Sequence, residues 1–353
     1  MLKSPTNPMQ DTSLLLCHEL RTPLTSIQGA LKLLNCQHLA SLPDDAQHLL
    51  AIAIDNADRL VRLTNALEVE PTPLLTVLSS AKIELLQLEN DLYQAAKQRD
   101  FYLAYQPIIC LETSQIIGFE ALARWRHGSR GEIPPQVFIP LAEKTNLIGE
   151  IGLFLLNEAC RQLRQWQTDF PFSTPLTMSV NLSAIQLQNE ELVEQVGQIL
   201  LQNSLSPGSL KLEITESALV EDEVAAVETL VKLQQLGVQI YIDDFGTGYS
   251  SLGRLQELPF NTLKIDQSFV RNKNWVMSET IFMLAQKLKL DVIVEGVESL
   301  EDLIVLRQLG YRKMQGYFFS KPTDPVGISA LLNHKNLEYK SNFFKASSCA
   351  ATV

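Results

Sequence analysis

From about residue 100 onward the chain alternates short apolar stretches with helical ones, and this alternation limits the fold more than any other feature. The strand candidates are FYLAYQPII, IIGFEALARW, LTMSVNLS, LKLEITE, VQIYIDD, TLKID and DVIVEGVE, with a last one near RKMQGYFF. Helical segments such as 150–166 and 223–236 lie between them. Repeated β–α units argue for a parallel sheet with helices outside it, most economically a (β/α)8 TIM-like barrel. An open doubly wound sheet is the competitor. Its usual nucleotide-binding forms lack support, because no GxGxxG or GxxxxGK[ST] follows a strand.

The polar residues within these strands carry the chemistry. Side chains alternate between faces with period two. Glu213 and Thr215 oppose Leu212 and Ile214, and Asp243 with Tyr241 opposes Ile240 and Ile242. Thr262, Lys264 and Asp266 oppose Leu263 and Ile265, and Glu295 opposes Val292 and Val294. Asn181 opposes Val180 and Leu182, while Glu120 and Arg124 oppose Phe119 and Ala121. In a barrel this parity gathers Glu120, Asn181, Glu213, Asp243, Asp244, Lys264 and Glu295 around the C-terminal mouth, where barrel enzymes keep their chemistry.

A single carboxylate ending a strand is ordinarily a helix cap or a solvated loop residue. Several converging acids repel unless a cation sits among them. All-oxygen ligands select a hard divalent ion, Mg²⁺ or Mn²⁺, over zinc or copper. The adjacent Asp243 and Asp244 suit two ions a few Å apart, the arrangement of in-line phosphodiester displacement. Lys264 is placed to orient or help deprotonate an attacking water, and Arg124 to clamp a phosphate with its planar fork. The glycines of DDFGTGYSSL (243–252) suit a tight loop over the acids.

Charge points the same way. Among 353 residues, 29 Lys and Arg against 40 Asp and Glu give a formal charge of −11, which disfavours a DNA or RNA binder working through a basic surface. An anionic substrate then needs a local cation as a bridge. With 46% hydrophobic residues the chain has enough apolar material for a sizeable core. No stretch is long and apolar enough for a membrane span, the N-terminus lacks the apolar core of a secretory signal, and five scattered cysteines have no CxxC spacing. The expected location is the cytoplasm.

Ahead of the β/α region, Leu16, Leu20, Leu24, Ile27, Leu31 and Leu34 form one heptad-like seam. Leu49, Ala53, Asn56, Leu60, Leu63 and Leu67 form another, and Ser41-Leu-Pro-Asp44 starts that second helix. A hairpin this small has little core, so pairing of two copies into a four-helix bundle, hence a homodimer, is expected. The expected domains are the hairpin at 1–69, a linker and connecting helix at 70–98, the barrel at 99–333 and a flexible tail at 334–353.

The motifs GFEALARW (118–125), NLS (181–183), EITE (213–216), DDFGTGYSSL (243–252), LKID (263–266), EGVE (295–298) and QGYFFSKP (315–322) resemble those of the EAL-domain cyclic di-GMP phosphodiesterases. The resemblance covers about residues 85–333. It implies metal-dependent hydrolysis of cyclic di-GMP to linear pGpG, with Glu120, Asn181, Glu213, Asp243 and Asp244 as ligands of two ions. It further implies that Lys264 contacts the catalytic water, that Glu216 steadies the DDFGTG loop, and that Glu295 is catalytic or metal-linked. Gln106, Arg124, Asp266 and Gln315 match substrate-site positions. Val294, Asn261 and Gly310-Tyr-Arg depart from the family's usual residues. A catalytically silent cyclic di-GMP receptor is the alternative, although every ligand position is filled.

Leu16-Cys17-His18-Glu19-Leu20-Arg21-Thr22-Pro23-Leu24 resembles the phosphoacceptor box of sensor histidine kinases. The resemblance implies that His18 is the phosphoacceptor, with Glu19 as its acid/base neighbour. After Glu70 the chain passes to a linker and then the barrel, which leaves three expectations: His18 receives phosphate from a partner histidine kinase, exchanges it with a receiver domain in a phosphorelay, or is a relic in a hairpin that now only dimerises. Asp244-Phe-Gly-Thr-Gly248 also satisfies a DxGxG pattern like that of kinase ATP domains. It follows paired acids at a strand end, with no asparagine-rich helix or glycine-rich lid, and that identity is rejected.

Overall fold

The computed structural model describes residues 80–216, 223–247 and 258–333, together with Ile27 and Leu31, which are helical. The hairpin seams, His18, the tail from 334 and residues 248–257 of the loop after Asp244 otherwise lie outside the described residues. The chain divides into two units, residues 1–90 and 91–353.

Helix α1 (Ser80–Gln98) spans the unit boundary and leads into two long strands, β1 (Phe101–Cys110) and β2 (Gln115–His127). A short strand β3 (Gly131–Ile133) and helices α2 (Pro135–Lys144) and α3 (Ile148–Asp169) follow. Next come β4 (Thr177–Asn181), α4 (Ala184–Leu187), α5 (Leu192–Gln202) and β5 (Leu210–Thr215). Then come α6 (Glu223–Leu236), β6 (Gln239–Phe245), β7 (Thr262–Ile265), α7 (Gln267–Arg271) and α8 (Trp275–Leu288). The series ends with β8 (Asp291–Val294), α9 (Leu300–Gln308), β9 (Lys313–Met314) and α10 (Pro325–Asn333).

The sheet order is β1-β9-β8-β7-β6-β5-β4-β2-β3, and β1 also pairs with β2, so the sheet closes on itself. The barrel is TIM-like with one reversed strand. Strands β2 and β4 to β9 are parallel to their neighbours around the wall, whereas β1 runs antiparallel to both β2 and β9. The cause is chain length: only residues 111–114 separate β1 from β2, too few for a parallel crossover, which takes a dozen or more. That short link makes a hairpin and inverts the first strand.

Helix α3 shows how the outer layer is built. Ile148, Ile151, Leu155, Leu156, Ala159, Leu163 and Trp166 recur at helical spacing and are buried, and the helix packs on β1 and β4. Trp166 meets Phe119 with ring centroids 4.7 Å apart and Tyr105 edge-on at 4.9 Å. Its indole N–H donates to Ser329 Oγ of α10 at 3.2 Å. The last turns of α1 are tied to the β2–β3 turn by Asp91, whose Oδ2 is 3.2 Å from His127 Nε2 and 3.8 Å from Arg130 Nε.

The strands present apolar residues outward to this helical layer. Leu212, Ile214, Ile240, Leu263, Ile265 and Val294 are all fully buried, and the residues between them face the interior. One position below the mouth, Ile108, Tyr241 and Ile293 form an apolar floor. Lys211 reaches the opposite end, donating to Gly208 O at 2.6 Å and to Gln239.

The departures from family residues are accommodated. Asn261 Oδ1 accepts from Ile240 N at 2.8 Å, tying the segment before β7 to β6. Tyr311 is buried, meets the Phe282 ring at a 51° tilt and donates to Ser278 O at 2.6 Å. Val294 fills an outward core position.

Candidate active site

At the C-terminal mouth the inward residues converge on one amine. Lys264 is fully buried, and its Nζ lies 2.6 Å from Glu295 Oε1, 2.7 Å from Glu213 Oε2, 3.1 Å from Asp243 Oδ1 and 3.2 Å from Glu120 Oε2. These acids come from β2, β5, β6 and the residue just after β8, so the site exists only in the closed barrel. Glu120 is further held by Asn181 Nδ2 at 2.9 Å and Gln315 Nε2 at 2.6 Å. Gln315 also donates to Gln106 Oε1 at 2.9 Å, and Gln106 donates to Ser320 O at 3.1 Å. Gln315 thus braces Glu120 directly, and Gln106, more than two hundred residues away in sequence, holds Gln315 in place.

The loop after β6 begins under strain. Asp244 has φ 53°, a left-handed value unusual for a residue other than glycine. Gly246 follows at φ 96°, where a Cβ would meet the Phe269 ring at 2.9 Å. Its N–H donates to Glu216 Oε2 at 3.2 Å, so Glu216 is fastened to the start of this loop. Asp266 caps α7 by accepting from Ser268 N at 3.0 Å, and its charge adds to the upward shift of Asp244.

Arg124 shares a face with Glu120, but its Nη1 donates to Ala123 O at 2.8 Å, so the guanidinium is turned back on its own strand and away from the Lys264 cluster. Residues 217–222 and 248–257, which flank the mouth in sequence, are outside the described residues.

Four carboxylates share one ammonium above an apolar floor, so their protonation preferences diverge. Burial alone would raise Glu120, but Lys264 and the amides of Gln315 and Asn181 outweigh it and hold this carboxyl below its ordinary value. Burial prevails at Glu213 and Asp243, which are both raised, with neighbouring acids adding to the effect. Glu295 is pushed up to about 8, by burial first and then by Asp243 and Glu120, against the pull of Lys264. Asp244 is pushed up to about 6 by burial, Asp243 and Asp266. For Lys264, burial favours the neutral amine, yet the surrounding acids raise it well above the usual lysine value. It remains an ammonium at neutral pH.

These shifts set a pH dependence for the protein in chelator. Between the ordinary carboxylate value and about 8, the folded state binds more protons at Glu295 than the unfolded chain does. Stability therefore falls as pH rises through that window. Asp244 adds to the lower half of it. Glu120, lowered, acts in the opposite sense only below the ordinary carboxylate range, and the Lys264 contribution is complete until the pH exceeds the ordinary lysine value. The thermal midpoint is expected to decline from roughly pH 5 to pH 8. Melting curves in chelator at several pH values check this, and a midpoint that rises across the interval contradicts it.

The same geometry fits a divalent cation. Ligand atoms of Glu120, Glu213 and Asp243 lie within 4.8 Å of one another, and so do those of Asp243, Asp244 and Glu295. Asp243 belongs to both groups. Glu213 Oε1 is buried with no hydrogen-bond partner, although its other oxygen takes Lys264. A buried anionic oxygen without a donor is costly, and a cation at that point would relieve it. The all-oxygen donor set is that of a hard ion.

Residues 89–322 match the family model described as the EAL domain. The chain belongs to the EAL domain family. A second model, the His Kinase A (phospho-acceptor) domain, matches residues 15–70. The EAL region is 42% identical over 244 residues to the bifunctional diguanylate cyclase/cyclic di-GMP phosphodiesterase MucR of Pseudomonas aeruginosa, covering 68% of this chain and 35% of that protein. It is 40% identical over 244 residues to the oxygen sensor protein DosP of Escherichia coli, covering 68% of this chain and 30% of that one. The match thus spans about a third of the curated relatives' length.

Among solved structures, the c-di-GMP complex of the PaMucR phosphodiesterase superposes with a TM-score of 0.65 at 41% identity, covering 69% of this chain and 99% of that one. The EAL enzyme Bd1971, bound to cAMP and cyclic di-GMP, gives a TM-score of 0.68 at 32% identity, covering 84% and 78%. Among the described residues, no helix is long and apolar enough to cross a membrane.

Proposed function

We propose that this EAL domain hydrolyses one 3′–5′ phosphodiester bond of cyclic di-GMP to give linear pGpG in the cytoplasm. The observation that carries this is the pair of overlapping carboxylate groups sharing Asp243 beside a buried ammonium, in a family whose members include a phosphodiesterase solved with c-di-GMP. Glu120, Asn181, Glu213 and Asp243 would hold one Mg²⁺ or Mn²⁺ and Asp243 with Asp244 a second, supplying Lewis-acid charge to the scissile phosphate and the water.

The protein's own groups complete the chemistry. Lys264, held among the four acids, would orient the attacking water or help to deprotonate it. Glu295, 2.6 Å from Lys264, would accept the water proton in its carboxylate form. The water oxygen bonds to phosphorus as the bond from phosphorus to the 3′-oxygen breaks; Glu295 takes one proton from the water, and the leaving 3′-oxygen receives one from solvent. Gln315, Gln106, Arg124 and Asp266 bind the dinucleotide, which requires Arg124 to turn away from Ala123 O. Glu216 keeps the loop after β6 in place through Gly246 N.

The test is incubation of the purified chain with cyclic di-GMP and Mg²⁺ or Mn²⁺, with pGpG followed by chromatography and a chelated sample alongside. Metal-dependent pGpG formation supports the proposal. Binding without product supports the silent receptor, and neither binding nor turnover overturns both.

The His Kinase A match favours a second, compatible role. The N-terminal region dimerises the chain, and His18 accepts phosphate from a partner histidine kinase or receiver domain to regulate the barrel. Acid-labile phosphate that appears with a kinase and is lost in His18→Ala tests it.

A further inference from the structure

We propose that Glu143, at the end of α2, is a positioning residue that sets the Asn181 side of the carboxylate cage through Ser183. The inference rests on the metal-dependent reading above.

Glu143 Oε1 accepts a hydrogen bond from Ser183 Oγ at 2.7 Å, across forty residues of sequence. Ser183 is the N-cap of α4: its Oγ accepts from Ile185 N at 3.3 Å, and its own N–H donates to Gln186 Oε1 at 3.1 Å. A serine capping a helix normally leaves its hydroxyl proton to water. Here a carboxylate takes that proton, in a stronger, charge-assisted bond, which fixes the Ser183 rotamer.

Two residues upstream, Asn181 gives Nδ2 to Glu120 Oε1 at 2.9 Å, so its Oδ1 is left for a cation. Between them, Leu182 N donates to Glu213 O at 2.8 Å. The three residues after the body of β4 are thus tied at Glu120, at the Glu213 backbone and at Glu143. The last tie comes from α2, outside the barrel strands, and adds to the Ser183 contacts within α4. Removing it frees the turn that aims the Asn181 amide and leaves the cage acids in place.

The experiment measures Mg²⁺ and Mn²⁺ binding to the full chain by calorimetry without substrate, then the metal dependence of pGpG formation. Glu143→Ala is expected to weaken metal binding about 10- to 100-fold, the usual size for partners that orient a ligand. Turnover should recover at high metal concentration. Glu143→Gln keeps an acceptor for Ser183 and should bind metal close to wild type. If Glu143→Ala does not fold, Ser183→Gly carries the test, because glycine is itself a favoured N-cap residue and removes the hydroxyl.

Unchanged metal affinity in Glu143→Ala, or in Ser183→Gly, overturns the inference. So does Glu143→Gln as weak as Glu143→Ala, which would make the charge and not the hydrogen bond responsible. A wild-type chain that binds neither ion overturns it together with the reading beneath it. A wild-type chain that binds metal without hydrolysing cyclic di-GMP overturns that reading alone.

Discussion

Glu120→Ala is expected to abolish pGpG formation while the protein stays folded. The carboxylate is the meeting point of three donors: Lys264 at 3.2 Å, Asn181 Nδ2 at 2.9 Å and Gln315 Nε2 at 2.6 Å. Removing it takes one donor from the proposed first ion and releases both amides, so the cage loses its most strongly anionic corner. The loss in turnover should reach at least about 10²- to 10³-fold, the scale on which one preorganised electrostatic contact acts in a water-excluded site. Stability should fall by about 1–3 kcal/mol, less than the loss in turnover, because Lys264 keeps three acid partners while the Asn181 and Gln315 amides lose their acceptor. Turnover at saturating metal and cyclic di-GMP, read beside a thermal melt, checks both halves. Turnover retained in a folded variant would remove the cage from the mechanism.

Period-two parity was enough to bring Glu120, Glu213, Asp243, Lys264 and Glu295 to one place, because a barrel wall leaves each side chain only two directions. Leu212 and Ile214 are fully buried outward while Glu213 is fully buried inward. Parity applied to Lys211 would likewise have found the amine below Glu213.

The orientation of β1 was also open to a length argument, since a four-residue link cannot cross over. A repeated β–α pattern hid it by suggesting that every unit was alike. Parity gives a direction but not a rotamer. Arg124 points with Glu120, yet its guanidinium returns to Ala123 O, a choice made by local hydrogen bonding.

Glu143 was out of reach for a different reason. In PLAEK it looks like an ordinary polar helix residue, and its only mark is the contact with Ser183 that the closed fold creates. Gln106 and Gln315 became candidates through motif likeness. Gln315 reaches both Glu120 and Gln106 because β1 and the segment after β9 lie side by side.

Lys264→Met is expected to be the most damaging single change in the barrel. Methionine keeps an unbranched side chain of similar length, so the space is filled and the loss is mainly one of charge. Four acid oxygens at 2.6 to 3.2 Å then face one another with no ammonium among them. Breaking a buried ion pair by removing one partner costs about 3–5 kcal/mol, and here one cation serves four partners. The acids respond by holding protons, which Glu213, Asp243 and Glu295 already favour. The destabilisation in chelator should therefore be larger at pH 8 than at pH 6. A divalent ion should restore part of the melting midpoint, since it replaces the missing positive charge. It should not restore turnover, because an ion cannot supply the directed N–H donor that Lys264 offers the water. Melts at both pH values, with chelator and with Mg²⁺, separate these effects. An unchanged midpoint in chelator would mean that the acids are neutral around Lys264 and that the ammonium does not hold the metal-free site together.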